Sequence, residues 1–231
     1  MKKTLFSGLI LAASAMPALA QDLDITITNL THGSHFTPLL AAAHGNASHL
    51  FRVGEAASSN LKAMAEGGDI SGLTADLDGV GADVVGNPAG GLLAPGASTR
   101  FSLSVNDGND YLSTVAMILP TNDGFVGLDS WKIPAVAGTY HFYLNAYDAG
   151  TEVNDEIVNG GDAPGAAGIP ADPLGKNGMN AMGAATEESN QTVHVHRGVL
   201  GDTDPDGGPS DLDSRVHRWL NPVARIDVTV K

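Results

Sequence analysis

The chain has 231 residues, no cysteine, and 26 acidic against 12 basic side chains, for a net charge of −14. Such a charge repels nucleic acid and anionic membrane and attracts divalent cations. Without cysteine there is no disulfide scaffold, so stability must come from core burial or from a bound ion.

The first twenty residues read as a leader. Lys2-Lys3 is a short basic start, and Leu5 to Ala15 is an apolar run too short for a spanning helix. Ala18-Leu19-Ala20 is a small-residue cleavage site. The expectation is a signal peptide over residues 1–20 and one domain over residues 21–231, exported to the periplasm or secreted. No Cys follows the apolar run, so no lipoprotein anchor is expected, nor is any later membrane span. Loss of Lys2 and Lys3 lowers the basic count from 12 to 10 against 26 acidic residues and takes the charge from −14 to −16.

Asp24 to Asn29 alternates apolar and polar residues and is rich in β-branched side chains, which predicts a half-buried strand. His32 to Asn46 reads as a loop. Gly54 to Glu66 is the one clear helix: Ala57, Leu61, Met64 and Ala65 recur at helical spacing, Ser58 or Ser59 can cap it, and Gly67-Gly68 ends it. Met64 belongs to its buried face. Asp69 to Pro95 reads as irregular loop or weak edge strand.

Thr99 to Val105 predicts a strand, and Tyr111 to Leu119, apolar on both faces, a central one. Phe125 to Leu128, Tyr140 to Tyr147, Thr192 to His196 and Val223 to Val230 add more. Thr151 to Asn190 is rich in Gly, Ala, Pro, Asn and Asp without periodicity, and reads as a long mobile excursion. Seven or eight strands with one helix near the front predict an all-β, two-sheet antiparallel β-sandwich.

Two strands end in acidic turns. Thr121-Asn122-Asp123-Gly124 follows the first, and Asp148-Ala149-Gly150-Thr151-Glu152 follows the second. Read as residues alone, these are either solvated turn acids or oxygen ligands for a hard cation.

The order of motifs resembles the spondin domain, named for the F-spondin family, from Ile25 to Val230. The resemblance lies in Phe36-Thr37-Pro38, His44, Gly54, Ala57-Ser58, Lys62 and Ala65-Glu66 near the front. Pro120, Asp123, Val126-Gly127 and Asp148-Ala149-Gly150-Thr151 carry it in the middle, and Val223-Ala224-Arg225 at the end. It implies a C2-like sandwich with a Ca2+ site at one end, held by Asp123, Asp148 and Glu152. Glu152 departs from the Asp of the animal family. Gly124 replaces an aromatic, which implies a looser turn. The family's cysteines and following thrombospondin-type modules are absent, so their adhesive partners do not carry over. The implied role is non-catalytic binding or adhesion toward an extracellular protein or glycan.

Two further metal readings stand beside this one. Asp202, Asp204, Asp206 and Gly207 match the start of an EF-hand loop whose twelfth position is Asp213, but Pro205 interrupts it and no helix pair flanks it. A solvated acidic turn is the plainer reading there. His194 and His196 alternate on one strand and point to one face, as a Cu2+ or Zn2+ pair would, with His44, His141 or His217 as candidates to complete it. Surface or hydrogen-bonded histidines are the plainer reading here too. No Gly-x-Ser-x-Gly elbow, His-Glu-x-x-His, phosphate-cradling loop or Cys nucleophile is present, so no enzyme is expected.

Overall fold

The structure, a computed structural model, describes residues 21–161, 165–175 and 177–231. The expected leader over residues 1–20 lies outside them. The elements in chain order are β1 (Gln21–Asn29), β2 (His35–Phe36), β3 (Leu40–His44), α1 (Ser59–Gly67), α2 (Ser71–Gly79), β4 (Asp83–Gly86) and β5 (Ser98–Val105). After these come β6 (Tyr111–Leu119), β7 (Gly124–Lys132), β8 (Gly138–Asp148), β9 (His194–Val195) and β10 (Ala224–Val230). No described helix is long and apolar enough to cross a membrane.

Strand pairing is antiparallel, in the order β4-β3-β6-β7-β8-β10-β1-β5, with β2 added to β6 and β9 to β8. The long strand β8 explains why this is one sheet. Its first part, Gly138–Leu144, pairs with β10, and its last part, Asn145–Asp148, pairs with β7. One strand thus carries the ladder round a corner. The two ends of the path meet where Asn106, just past β5, donates its backbone N–H to Asp83 of β4 at 2.7 Å. The result is all-β and barrel-like, less clearly two stacked sheets than the alternation of the strands implied.

The alternation of β6 builds two cores. Leu112, Ala116 and Ile118 point into the barrel with Leu23, Ile25, Ile27, Leu144, Ile226 and Val228. Val115, Met117 and Leu119 point outward and are covered by Leu61, Met64 and Ala65 of α1 and by Leu73 and Leu77 of α2. Burial on both faces makes β6 central, flanked by β3 and β7.

Three segments differ from the sequence reading. The loop expected over His32 to Asn46 contains β3, a fully buried strand of Leu40-Ala41-Ala42-Ala43-His44. Alanine carries no strand signal, and only packing between two cores selects this conformation. The stretch from Asp69 contains α2, whose Gly72, Thr74 and Asp76 are poor helix formers held down by Leu73 and Leu77 one turn apart. The Thr151 to Asn190 segment has no helix or ladder strand among its described residues, yet buried carboxylates stitch it down. Asp211 accepts backbone N–H groups of Val158 (2.8 Å), Met179 (2.6 Å) and Ala181 (3.2 Å). Glu156 accepts from Leu200 (2.7 Å), Gly201 (2.9 Å) and the Ser210 hydroxyl (2.7 Å). The expected mobility does not fit this anchoring.

Candidate metal centre

The β6–β7 turn presents Asp123. Thr121 locks that turn by donating its hydroxyl to Ile118 O at 2.6 Å and accepting the Gly124 N–H at 2.9 Å. The second acidic turn leaves β8 at Asp148, whose Oδ1 accepts the Gly150 N–H at 2.8 Å, a local Asx turn. Gly150 takes a left-handed φ of +69° and packs directly on the backbone of Gln191 and Thr192, so a side chain there would clash. The ladder pairs Gly124 with Asp148, which brings the two turns side by side. Asp123 Oδ2 then accepts the backbone N–H groups of Thr151 (2.7 Å) and Glu152 (3.1 Å).

Of the three carboxylates read from the sequence, Asp123 lies near both others, with the Asp148 charge acting on it and its own charge acting on Glu152. Asp123 and Asp148 are buried and Glu152 is half-buried. Glu66, from the last turn of α1, joins them. Its Oε2 accepts the Gly165 N–H at 2.7 Å, and Lys62 Nζ stands 3.5 Å from its Oε1. Burial, and then the neighbouring Asp148 charge, push the Asp123 carboxyl up to about 7. Burial, then Glu66 and then Asp123, push Glu152 up to about 8. Too little positive charge lies nearby to keep Asp123 and Glu152 both ionised near neutral pH.

Among the described residues, Asp123 Oδ1 and Glu152 Oε2 are buried and have no hydrogen-bond partner. Two orphaned carboxylate oxygens from adjacent turns fit a hard cation, which seeks six to eight oxygens from carboxylates, carbonyls and water. Among the described residues, no group of three or more His, Asp or Glu side chains is arranged to hold a metal ion. An open groove of about 530 Å3, lined by Thr151, Glu152, Gly165 and Gly168, gives access from solvent.

The histidine pair lies on the same site. Strand β9 sets His194 opposite Asp148, and both imidazoles face Asp148 Oδ2, His194 Nε2 at 3.8 Å and His196 Nε2 at 4.0 Å. His196 is buried, and burial holds its imidazolium form down to about 4, against the pull of Asp148. A side chain at Gly124 would meet the His196 ring at 3.0 Å and Thr121 Oγ1 at 2.7 Å. Gly124 thus makes room for the imidazole, and the turn is locked where it was expected to be loose.

The other named histidines do not complete the pair. His44 contacts Ser113 Oγ (2.7 Å), His141 pairs with Asp227 (2.5 Å), and His217 pairs with Asp172 (3.1 Å). In the Asp202 to Asp213 turn, Asp202 and Asp213 form an isolated bridge, but their carboxylates are spent locally. Asp202 accepts from the backbone of Asp204 and Ser210, and Asp204 from Asp206. Arg215 hydrogen-bonds Asp213 and holds its carboxyl at about 2.

Glu66 and the approach of the histidines to Asp148 were not visible in residue spacing. Glu66 sits on a helix remote in sequence, and β9 is separated from β8 by the non-periodic segment. No curated protein matches the chain significantly. The family model of the spondin N-terminal domain matches residues 28–156, a stretch that contains Glu66, Asp123, Asp148 and Glu152 and stops before the closing strand. That match spans more than half of the sequence, and the chain belongs to the spondin N-terminal domain family.

Proposed function

We propose that this chain is an exported, non-catalytic, calcium-binding spondin module for binding or adhesion outside the cytoplasm. The observation that carries the reading is the convergence of Asp123, Asp148 and Glu152 with two buried carboxylate oxygens unpartnered among the described residues. Ca2+ would be held by these side chains, with water filling the remaining positions. It would supply the missing positive charge and tie the β6–β7 turn to the turn after β8. Export rests on the basic, apolar and small-residue order of residues 1–20. The partner would be an extracellular protein or glycan, and the ion's part is to stiffen the surface that meets it. Melting in Ca2+ and in chelator tests the reading. The wild type should melt higher with Ca2+, and Asp148→Ala should lose that difference. Coincident wild-type curves would refute it.

A second reading, Cu2+ or Zn2+ bound by His194 and His196, is favoured by one observation. His196 Nε2 is buried, has no hydrogen-bond partner among the described residues, and faces Asp148. Calorimetric titration with Cu2+ or Zn2+ separates the two. The histidine reading requires that His194→Ala/His196→Ala remove the heat, and the calcium reading requires that the variant keep its Ca2+ response.

A further inference from the structure

Away from the carboxylate cluster, an open groove of about 440 Å3 crosses the outer face of the sheet where β7 and β8 part, with Phe51, Tyr143, Asn145 and Tyr147 in its lining. We infer that this groove binds a neutral saccharide chain. The inference deepens the reading of the chain as a binding module and rests on it, but it does not depend on bound calcium.

Close packing shapes the groove. The β7–β8 ladder ends at Gly127 opposite Asn145, and before that point β8 pairs with β10 instead. A side chain at Gly127 would meet the Phe51 ring at 2.7 Å, so glycine there lets the ring lie on the sheet. Phe51 packs against Phe125 and Tyr147, with ring centroids 5.0 and 4.9 Å away. Its segment is fastened at both ends. Asp129 Oδ1 accepts the Leu50 N–H at 2.8 Å, and Gly54 donates its N–H to Val193 O at 2.7 Å. The wall therefore stands in place before a ligand arrives, which spares the cost of ordering it on binding.

The side chains on offer are apolar rings beside uncharged polar groups. Period-two alternation sets Tyr143, Asn145 and Tyr147 on the groove side of β8, while Leu144 and Ala146 belong to the core. Tyr143 is 64% exposed, a large ring held out in water two residues from the exposed Asn145 amide. A pyranose has the matching duality. The C–H groups of its ring faces lie against an aromatic face, and the hydroxyls round its edge pair with amide and phenol groups.

Charge selects the class of saccharide. The ionisable groups of the groove are matched locally, Asp129 by His49 at 2.5 Å and by the Leu50 N–H, and Arg52 by Glu55 at 3.5 Å. Among the described residues the lining thus offers no unpaired Lys or Arg to a sulfate or carboxylate. The net charge of −14 also repels polyanionic glycans. An apolar helix laid across the groove would strand the Asn145 amide and the Tyr147 hydroxyl away from water. An extended peptide is the competing occupant, and the test includes it.

The test presents the full chain, in excess Ca2+, to three immobilised sets: neutral hexose and N-acetylhexosamine oligosaccharides, sulfated and uronic-acid oligosaccharides, and unglycosylated extended peptides. Retention on at least one neutral sugar is expected. Tyr143→Ala and Asn145→Ala should each weaken it about 10-fold or more. Tyr143→Phe should keep most of the affinity, and His141→Ala, exposed on the same strand outside the groove, should leave it unchanged. Amide shifts of the wild type titrated with the retained sugar should map to Gly127, Tyr143 and Asn145, a readout that does not depend on any variant folding. No neutral sugar retained, a preference for acidic sugars, peptides bound in place of sugars, or full affinity in both Tyr143→Ala and Asn145→Ala would overturn the proposal. Melting with and without Ca2+ on the same sample keeps the two readings apart. A Ca2+ shift without sugar binding removes the groove alone, and sugar binding without a Ca2+ shift removes the calcium reading alone.

Discussion

Replacing Asp123 with Asn should stabilise the calcium-free protein and at the same time abolish its response to calcium. The Asp123 carboxyl moves from 3.8 to about 7 on folding. Between those values the folded chain keeps a proton that the unfolded chain has released, so stability falls as pH rises through that window. At about 1.4 kcal/mol per pH unit, the ceiling of the loss at pH 8 is about 4 kcal/mol. Relaxation around the Asp148 charge reduces it, and a gain of about 1–3 kcal/mol is expected for the neutral side chain. Asn can keep an oxygen where Oδ2 accepts the Thr151 and Glu152 N–H groups, and it places an amide where Oδ1 has no partner. For a chain of this size the gain corresponds to about 2–12 °C in Tm. The assay is thermal melting at pH 8 in chelator and in excess Ca2+, wild type beside Asp123→Asn. A variant that melts below the wild type in chelator, or that still gains stability from Ca2+, would refute the reasoning.

Wild-type protein in chelator should lose stability as pH rises from about 4 toward 8, because Asp123 and Glu152 are both held above their unfolded values of 3.8 and 4.5. Excess Ca2+ should flatten that profile, and parallel profiles with and without Ca2+ would contradict it. Asp211→Ala removes the acceptor of three backbone N–H groups. It should cost about 2–4 kcal/mol in denaturant melts and open the Thr151 to Asn190 segment to limited proteolysis. Phe125, fully buried and packed edge-on against Phe51 at 5.0 Å, anchors the start of β7 two residues after Asp123. Phe125→Ala should cost about 3–5 kcal/mol and weaken the Ca2+-dependent rise in Tm, and a rise of wild-type size would count against the coupling of turn and core.

Strands with strong alternation were legible in the sequence because one face of each meets a core. Ile25, Ile27, Phe101, Leu103, Ile226 and Val228 announce β1, β5 and β10 through β-branched and aromatic side chains at a period of two. The alanines of β3 announce nothing, since their strand conformation comes from burial between two cores. In α2, only Leu73 and Leu77 are apolar and buried, too few for a periodic signal. The curl into one barrel-like sheet depends on β8 changing partners halfway along, and alternation within a strand does not encode which neighbour each half meets. At the candidate site, Asp123, Asp148 and Glu152 were legible because short turns and a family pattern hold them. Glu66 carries no spacing signal, and tertiary packing alone brings it to the cluster.

The most direct test of the central claim is calcium calorimetry of the chelated protein at pH 7, repeated in two buffers of different ionisation enthalpy. With Asp123 held at about 7 and Glu152 at about 8, filling the cluster must displace protons. The account predicts one Ca2+ per chain, taken up with release of roughly one proton or more, and loss of both signals in Asp148→Ala. No uptake of Ca2+, or uptake without proton release that survives Asp148→Ala, would contradict it.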